Sequence, residues 1–263
     1  MTDLTGKIAL ITGSTSGIGL GIAEHFAKAG ATIAVNGFGT AEEITYVVEN
    51  LSAYKGNQAR FFPADLMDGE AAITLVNQVV NHFGKIDVLI NNAGIQHVEK
   101  VEDFPADRWE SIISLNLSSA FYTSKAAVPH MRRSGYGRIL NIASAHGLVA
   151  SPFKSAYVAA KHGVVGFTKS LGLELAEEEN ICVNAICPGY VRTPLVDMQI
   201  KDQAKVHNMT EEEVIREVIL AAQPNKRFVT VEEVADLALY LCKDATRSFN
   251  GAALPIEGGW TAR

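Results

Sequence analysis

Residues 8–19 have the sequence IALITGSTSGIG, a short apolar run followed by glycines at Gly13, Gly17 and Gly19. Residues 18–29 have amphipathic helical spacing, so these glycines fall between a strand and a helix. Glycines there allow a tight turn and a close backbone approach to a pyrophosphate, and the helix N-terminus offers free N–H groups and a positive dipole end. The placement favours a nucleotide site over a glycine-rich turn without a ligand. Its predicted contacts are Gly13, Thr15, Ser16, Gly17, Ile18 and Gly19.

Apolar runs and amphipathic helical segments alternate along the rest of the chain. The strand-like runs are residues 8–12, 31–35, 59–63, 88–91, 138–143, 182–187 and 253–256, and the helical ones 18–29, 41–54, 69–83, 106–132 and 156–178. Continuous apolar strands, each followed by a helix, are typical of a parallel sheet covered on both faces. We therefore expect an α/β chain, residues 1–263 in one domain, with a Rossmann-type doubly wound parallel sheet of about seven strands and ligands beyond the strands' carboxyl ends.

Residues 190–227 interrupt this alternation. The segment is polar and contains Thr210-Glu211-Glu212-Glu213, a capping-box pattern that opens a short helix. An insertion at the strand-end face predicts either a mobile substrate lid or a static helical excursion.

Composition narrows the function classes. The 263 residues carry a net charge of −6, which argues against nucleic acid or an anionic membrane as the main partner. The three cysteines form no CxxC pair, so we expect reduced thiols, and no metal-binding motif is present. The N-terminus lacks a signal-peptide pattern and no apolar run reaches the roughly 18 residues of a membrane span, so we expect a cytoplasmic protein.

Tyr157 and Lys161 lie four residues apart, so they share one face of a helix, and Ser144 precedes Tyr157 at a strand end. Hydride transfer from a secondary alcohol needs a base for the hydroxyl proton. A free tyrosine has a pKa near ~10, and a nearby ammonium together with the positive nicotinamide of an oxidised cofactor would lower it; a fall of about 3 units requires roughly 4 kcal/mol. Tyr157 is therefore the candidate general acid/base, with Lys161 tuning it.

Together these motifs resemble those of the short-chain dehydrogenase/reductase family. The glycine turn, Asn91-Asn92-Ala93-Gly94, Ser144, Tyr157-x-x-x-Lys161 and Pro188-Gly189 follow in the family's order. The resemblance implies a nicotinamide-dependent oxidoreductase with the catalytic residues Asn116, Ser144, Tyr157 and Lys161. It also implies cofactor contacts from Asp65, Leu66, Asn92, Ala93, Gly94, Tyr157, Lys161, Pro188, Val191 and Thr193.

The segment after the second strand, NGFGTAEE at residues 36–43, bears on the choice between NAD and NADP. An acidic residue at that strand end favours NAD, and a cation would hold the 2′-phosphate of NADP. The acidic residue is missing, but so is any cation, and an unpaired phosphate would be poorly accommodated. We therefore expect NAD, with Phe38 either beside the adenine or simply a surface or core aromatic.

Polar side chains near the loops around the nicotinamide indicate a small carboxylate substrate, because they offer several donors and a positive charge. The set resembles that of family members that oxidise (R)-3-hydroxybutanoate to acetoacetate with NAD, a reaction of ketone body metabolism. The resemblance implies that Gln96, His146, Lys154 and Gln199 bind the carboxylate and that Trp260 closes over the methyl group. It also implies a homotetramer with interfaces on residues 116–133 and 157–178. The substrate-binding set is Gln96, His146, Lys154, Gln199 and Trp260, with Ser144 and Tyr157.

Two alternatives remain open. An NADPH-dependent 3-oxoacyl carrier protein reductase shares the generic motifs, and would need a basic residue near the ribose and a wide apolar groove. A non-catalytic dinucleotide-binding sensor would usually lack the Tyr or Lys that this chain keeps.

Overall fold

The computed structural model describes residues 3–54, 57–193, 196–197, 200, 204 and 208–262. Within them lies a seven-stranded sheet with the order β3-β2-β1-β4-β5-β6-β7, and every neighbouring pair is parallel. The strands are β1 Ile8–Ile11, β2 Thr32–Val35, β3 Ala59–Phe61, β4 Val88–Asn91, β5 Gly137–Ile142, β6 Ile181–Pro188 and β7 Ala253–Ile256. The prediction of a doubly wound parallel sheet is confirmed.

The helices connect these strands. They are α1 Gly17–Lys28, α2 Ala41–Ser52, α3 Gly69–Phe83, α4 Ala106–Ile113, α5 Ser119–Ser134, α6 Ser155–Glu174, α7 Glu211–Val214 and α8 Val231–Leu241. A π-helical turn, Ser114–Ser118, joins α4 to α5, a second, Ile215–Ile219, follows α7, and Ala145–Gly147 is a 3₁₀ turn.

Both faces of the sheet are covered because alternate strand residues point to opposite sides. In β1, Ala9 and Ile11 face the core under α1, α2 and α8, whereas Ile8 and Leu10 face the core under α3, α5 and α6. The strands at the centre of the sheet are thus apolar on both faces, as the uninterrupted apolar runs predict.

Local signals fix several helix ends. Reciprocal capping boxes begin α2 at Thr40 and Glu43, α7 at Thr210 and Glu213, and α8 at Thr230. The sequence analysis did not single out α8, which packs against α1 so closely that a Cβ on Gly21 would lie 2.0 Å from Val231 Cγ1.

The predicted lid, residues 190–227, is described in part. Its capping box and short helix are present, but Gln199 lies outside the described residues. The lid and the division into domains therefore stay predictions. Among the described residues, no helix is long and apolar enough to cross a membrane.

Candidate active site

A cavity of about 510 Å³ lies at the carboxyl ends of β1, β4, β5 and β6. This is the edge at which open parallel sheets bind ligands. Most of the predicted site residues line it: Gly13, Thr15, Ser16, Ile18, Phe38, Leu66, Asn92, Ala93, Gly94, Gln96, Ser144, His146, Lys154, Tyr157, Lys161, Pro188, Val191, Thr193 and Trp260.

The glycine turn forms one wall of the cavity and is held against β4. The Asn92 side chain donates to the carbonyls of Thr12 and Gly13, at 3.0 Å each, and the Thr12 hydroxyl accepts from the Asn92 and Ala93 amides. Gly13 has φ +62°, and a Cβ on Gly19 would lie 2.2 Å from the Gly13 carbonyl oxygen. Only glycine fits at these two positions without a backbone shift.

The first turn of α1 offers N–H groups to a ligand. Within the described chain its N-cap, Ser16, makes no side-chain capping hydrogen bond. A helix N-terminus of this kind behind a glycine turn suits a pyrophosphate. The turn also approaches the loop after β6, because a Cβ on Gly17 would lie 3.6 Å from Thr193 Cγ2. The lining of the cavity runs from Phe38 past the glycine turn to Tyr157 and Lys161, an extent that suits an extended dinucleotide.

The end of the cavity away from Tyr157 and Lys161 is formed by Thr15, Phe38 and Leu66. The Thr15 hydroxyl donates to the Phe38 carbonyl at 2.7 Å, and the Phe38 ring is 71% exposed, free to pack against a flat ligand. Asn36 turns inward and donates to the Phe62 carbonyl at 3.1 Å. Asp65 lies outside the lining and accepts from the Met67 amide.

Buried amides tie α6 to the strands that carry the loops. Asn91 at the end of β4 donates to Asn141 of β5 at 2.9 Å, and Asn141 donates to Thr168 of α6 at 2.9 Å. Thr168 and Asn141 are fully buried, so losing either partner would leave an unsatisfied polar group. This chain of bonds sets where α6 lies relative to the strand ends.

Three predicted catalytic side chains meet at the cavity. Ser144 follows β5, and Tyr157 and Lys161 lie on one face of α6. The Lys161 ammonium donates to the Ile142 carbonyl at 2.8 Å and lies 5.6 Å from the centre of the Tyr157 ring. Lys161 is 5% exposed, so its charge is largely withdrawn from water.

Burial is the main cause of the pKa shifts of Tyr157 and Lys161. It raises the pKa of the Tyr157 phenol above its ordinary value, with the Ser144 hydroxyl acting in the opposite direction, and lowers the pKa of Lys161 to about 8. Packed protein around the phenol penalises its anion, and the Lys161 ammonium bonds the Ile142 carbonyl. A lowering of the Tyr157 pKa by Lys161 together with the positive nicotinamide of an oxidised cofactor stays a prediction.

Asn116 lies behind the cavity wall, in the π-helical turn after α4. Its side chain makes two bonds to Ile95, accepting from the amide and donating to the carbonyl, both at 2.9 Å. Asn116 therefore holds the loop after β4, and its predicted role in a proton-relay water stays a prediction.

Three predicted carboxylate-binding residues, Gln96, His146 and Lys154, line the same cavity. His146 Nε2 lies 2.8 Å from the Ser151 hydroxyl. Burial, with the Lys154 ammonium adding to it, lowers the pKa of His146 to about 4. His146 is thus a neutral hydrogen-bonding group at physiological pH, which leaves Lys154 to supply positive charge at this end.

An aromatic wall, defined here as Tyr157, His146, Trp260 and Tyr190, encloses this end of the cavity. The Tyr190 and Trp260 rings are stacked, with centres 5.8 Å apart and planes at 7°. His146 meets Trp260 edge-on at 5.0 Å and Tyr157 edge-on at 5.9 Å. Tyr190 was not among the predicted site residues; its position directly after Pro188-Gly189, beyond β6, was the available signal.

Among the described residues, four predicted ones do not line the cavity: Gly17, Gly19, Asp65 and Asn116. The three cysteines are buried, as expected, and burial raises the pKa of Cys187 to about 11 and that of Cys242 to about 12, so neither is a reactive thiolate at neutral pH. In the part of the chain that the structure describes, no three His, Cys, Asp or Glu side chains are grouped to hold a metal ion.

Known proteins match this chain in sequence and fold over nearly its whole length. The family model described as short chain dehydrogenase matches residues 7–204. D-beta-hydroxybutyrate dehydrogenases of Rhizobium meliloti (strain 1021) and Cupriavidus necator are 54% and 48% identical, covering 98% and 99% of this chain and 99% and 100% of theirs. The L-sorbose reductase of Gluconobacter frateurii, solved with NADPH and L-sorbose, superposes with a TM-score of 0.93 at 30% identity, covering 100% of this chain and 99% of that one.

Proposed function

This chain belongs to the short-chain dehydrogenase family, and from that premise we propose that it oxidises (R)-3-hydroxybutanoate to acetoacetate with NAD, reversibly. The observation that carries the proposal is the placement of Lys154 and His146 in the same cavity as Ser144 and Tyr157. A cation and a neutral donor beside the proton-handling group suit a hydroxy acid with its carboxylate a short distance from the hydroxyl. The names of the two bacterial relatives support the same substrate.

In this proposal Tyr157 handles the proton of the reacting hydroxyl. In oxidation it takes the O–H proton of C3, and in reduction it returns that proton to the carbonyl oxygen. Ser144, which neighbours Tyr157, hydrogen-bonds the same substrate oxygen and fixes its position. A nicotinamide bound in the cavity would supply the acceptor for the C3 hydrogen and its electron pair. Lys161 binds the nicotinamide ribose and adds positive charge below Tyr157.

Substrate recognition falls to side chains at the same end of the cavity as Tyr157. Lys154 pairs with the carboxylate, neutral His146 and Gln96 donate to it, and Trp260 closes over the methyl group. Gln199 belongs to the same proposed set. The wall of aromatic rings leaves room for a short chain, because Trp260 is packed between Tyr190 and His146.

We assign NAD as the cofactor because of charge at the Phe38 end of the cavity. Among the described lining residues the ammonium groups are those of Lys154 and Lys161, both at the catalytic end. Glu43 is used in the capping box of α2, where its carboxylate accepts from Thr40. A 2′-phosphate at that end would find no cation among these lining residues.

We also propose that the chain assembles as a cytoplasmic homotetramer through α5 and α6. Phe121 on α5 and Leu173 on α6 are 45% and 78% exposed, which is unusual for large apolar side chains on long helices and suits an interface. Sedimentation equilibrium should give four times the chain mass, and a monomer at micromolar concentration would contradict this assembly.

The alternative reductase of acyl carrier thioesters is less well supported. A long acyl chain needs an open apolar groove, whereas the stacked Tyr190 and Trp260 rings enclose the substrate end. A sensor without catalysis is disfavoured because Ser144, Tyr157 and Lys161 all line one cavity.

A substrate panel tests the proposal. NAD⁺ and NADP⁺ are crossed with (R)- and (S)-3-hydroxybutanoate and polyols, and NADH and NADPH with acetoacetate and acetoacetyl thioesters, with reduced-cofactor absorbance as the readout. We expect the highest kcat/KM with the (R)-hydroxy acid and NAD⁺. Turnover of thioesters with NADPH, together with inactivity on the hydroxy acids, would overturn the assignment.

A further inference from the structure

The Lys154 side chain is long and flexible, yet the proposed function requires its ammonium to lie at one place, beside the substrate carboxylate. It lies at the N-cap of α6, just after Phe153, whose φ of +64° is unusual for a large side chain. Its ammonium donates to the Tyr190 hydroxyl at 3.2 Å. An ammonium on a four-carbon stem loses much side-chain entropy when it is fixed, so a preformed partner reduces the cost of binding an anion.

The backbone of Tyr190 is held by hydrogen bonds at both its amide and its carbonyl. Its amide donates to the Gln223 side chain at 3.2 Å, and its carbonyl accepts from the Val229 amide at 2.9 Å. Gln223 is fully buried, and the Tyr190 ring lies flat against Trp260. The hydroxyl is therefore presented from a fixed backbone and a fixed ring plane.

The ammonium contacts the oxygen end of Tyr190 rather than the face of its ring. Lys154 Nζ is 3.2 Å from the hydroxyl oxygen and 5.3 Å from the ring centre. The interaction thus depends on the hydroxyl, and a phenylalanine would preserve the stack on Trp260 while removing the acceptor.

We propose that Tyr190 is a positioning residue that aims the Lys154 ammonium at the substrate carboxylate and couples it to Trp260, which covers the other end of the substrate. The inference rests on the proposed function. It accounts for why the cation lines the cavity without an acidic partner among the described residues: a neutral hydroxyl orients the charge without neutralising it, so the ammonium keeps its attraction for a carboxylate.

Tyr190→Phe tests this role in the whole enzyme. We expect KM for (R)-3-hydroxybutanoate to rise about tenfold, the scale of one hydrogen bond to a charged group, with kcat within about twofold. KM for NAD⁺ should stay unchanged. Tyr46→Phe removes an exposed hydroxyl from α2 and is the matched control, with kinetics like those of the wild type.

A double-mutant cycle separates positioning from a general structural effect. In a Lys154→Ala background, Tyr190→Phe should change KM by less than about twofold, because the group that it orients is gone. The same tenfold rise in both backgrounds, or no rise in either, would overturn the inference. A wild-type enzyme that is inactive on the hydroxy acid would instead overturn the proposed function, and the inference with it. Thermal unfolding of each variant checks that it folds.

Discussion

Replacing Lys161 with methionine should stabilise the folded chain while it removes activity. The Lys161 ammonium is 5% exposed and its described hydrogen bond is to the Ile142 carbonyl. Methionine has a similar length and no charge, so it fills the space without the cost of withdrawing an ammonium from water.

The size of the effect follows from the pKa of Lys161. Burial lowers that pKa from 10.5 to about 8, which corresponds to about 3 kcal/mol of unfavourable free energy for the charged form in the fold. Losing the bond to Ile142 costs about 1–2 kcal/mol. The variant should therefore be about 1–2 kcal/mol more stable than the wild type at pH 7.

The pH dependence of the free energy of unfolding provides a second test of this reasoning. The folded-state pKa of this base is depressed, so the unfolded chain binds more protons between about pH 8 and pH 10.5, and wild-type stability rises with pH in that window. The methionine variant lacks this gain. Its advantage over the wild type should shrink by about 1 kcal/mol between pH 7 and pH 9.

Urea unfolding of both proteins at equal chain concentration, at pH 7 and pH 9, measures both quantities. Lys169→Met, an exposed position on the same helix, is the matched control and should change stability by less than about 0.5 kcal/mol. A Lys161→Met protein less stable than the wild type at pH 7, or a stability difference independent of pH, would refute the reasoning.

Three further predictions concern the cofactor and the proton. Tyr157→Phe should cut turnover at least about a hundredfold with NAD affinity retained; a near-normal kcat in stopped-flow assays would refute its role. Gly19→Ala places a Cβ against the Gly13 carbonyl and should raise KM for NAD⁺ at least about tenfold, whereas Gly166→Ala, at an open helical position of the described chain, should not; equal effects would contradict the close-approach argument. Phe38→Arg should raise kcat/KM for NADP⁺ at least about tenfold by pairing the 2′-phosphate, and no gain would locate the ribose elsewhere.

The sheet and the glycine turn were predictable because both depend on short-range patterns. Uninterrupted apolar runs set the strands, and glycines between a strand and a helix set the turn. The capping box at Thr210 is a local signal of the same kind, although those at Thr40 and Thr230 went unused. The position of α8 against α1 was not predictable, because it depends on Gly21 meeting Val231 across 210 residues of sequence.

The site also has features that were predictable from the sequence and features that were not. Its residue types follow from motif spacing, but their hydrogen-bond partners do not: Lys161 bonds the Ile142 carbonyl, Asn116 bonds Ile95, and Lys154 bonds Tyr190. Each partner comes from a different loop or strand, so the sequence carries no local sign of it. The effect of burial on the pKa of Tyr157 is likewise absent from the motifs, since it depends on how tightly the fold packs around the phenol.

Recognition of a carboxylate beside Tyr157 is tested most directly by comparing (R)-3-hydroxybutanoate with its methyl ester. With saturating NAD⁺, the wild type should prefer the acid by at least about tenfold in kcat/KM, and in Lys154→Ala that preference should fall to near one. A wild-type enzyme that oxidises the neutral ester as efficiently as the acid would contradict the account.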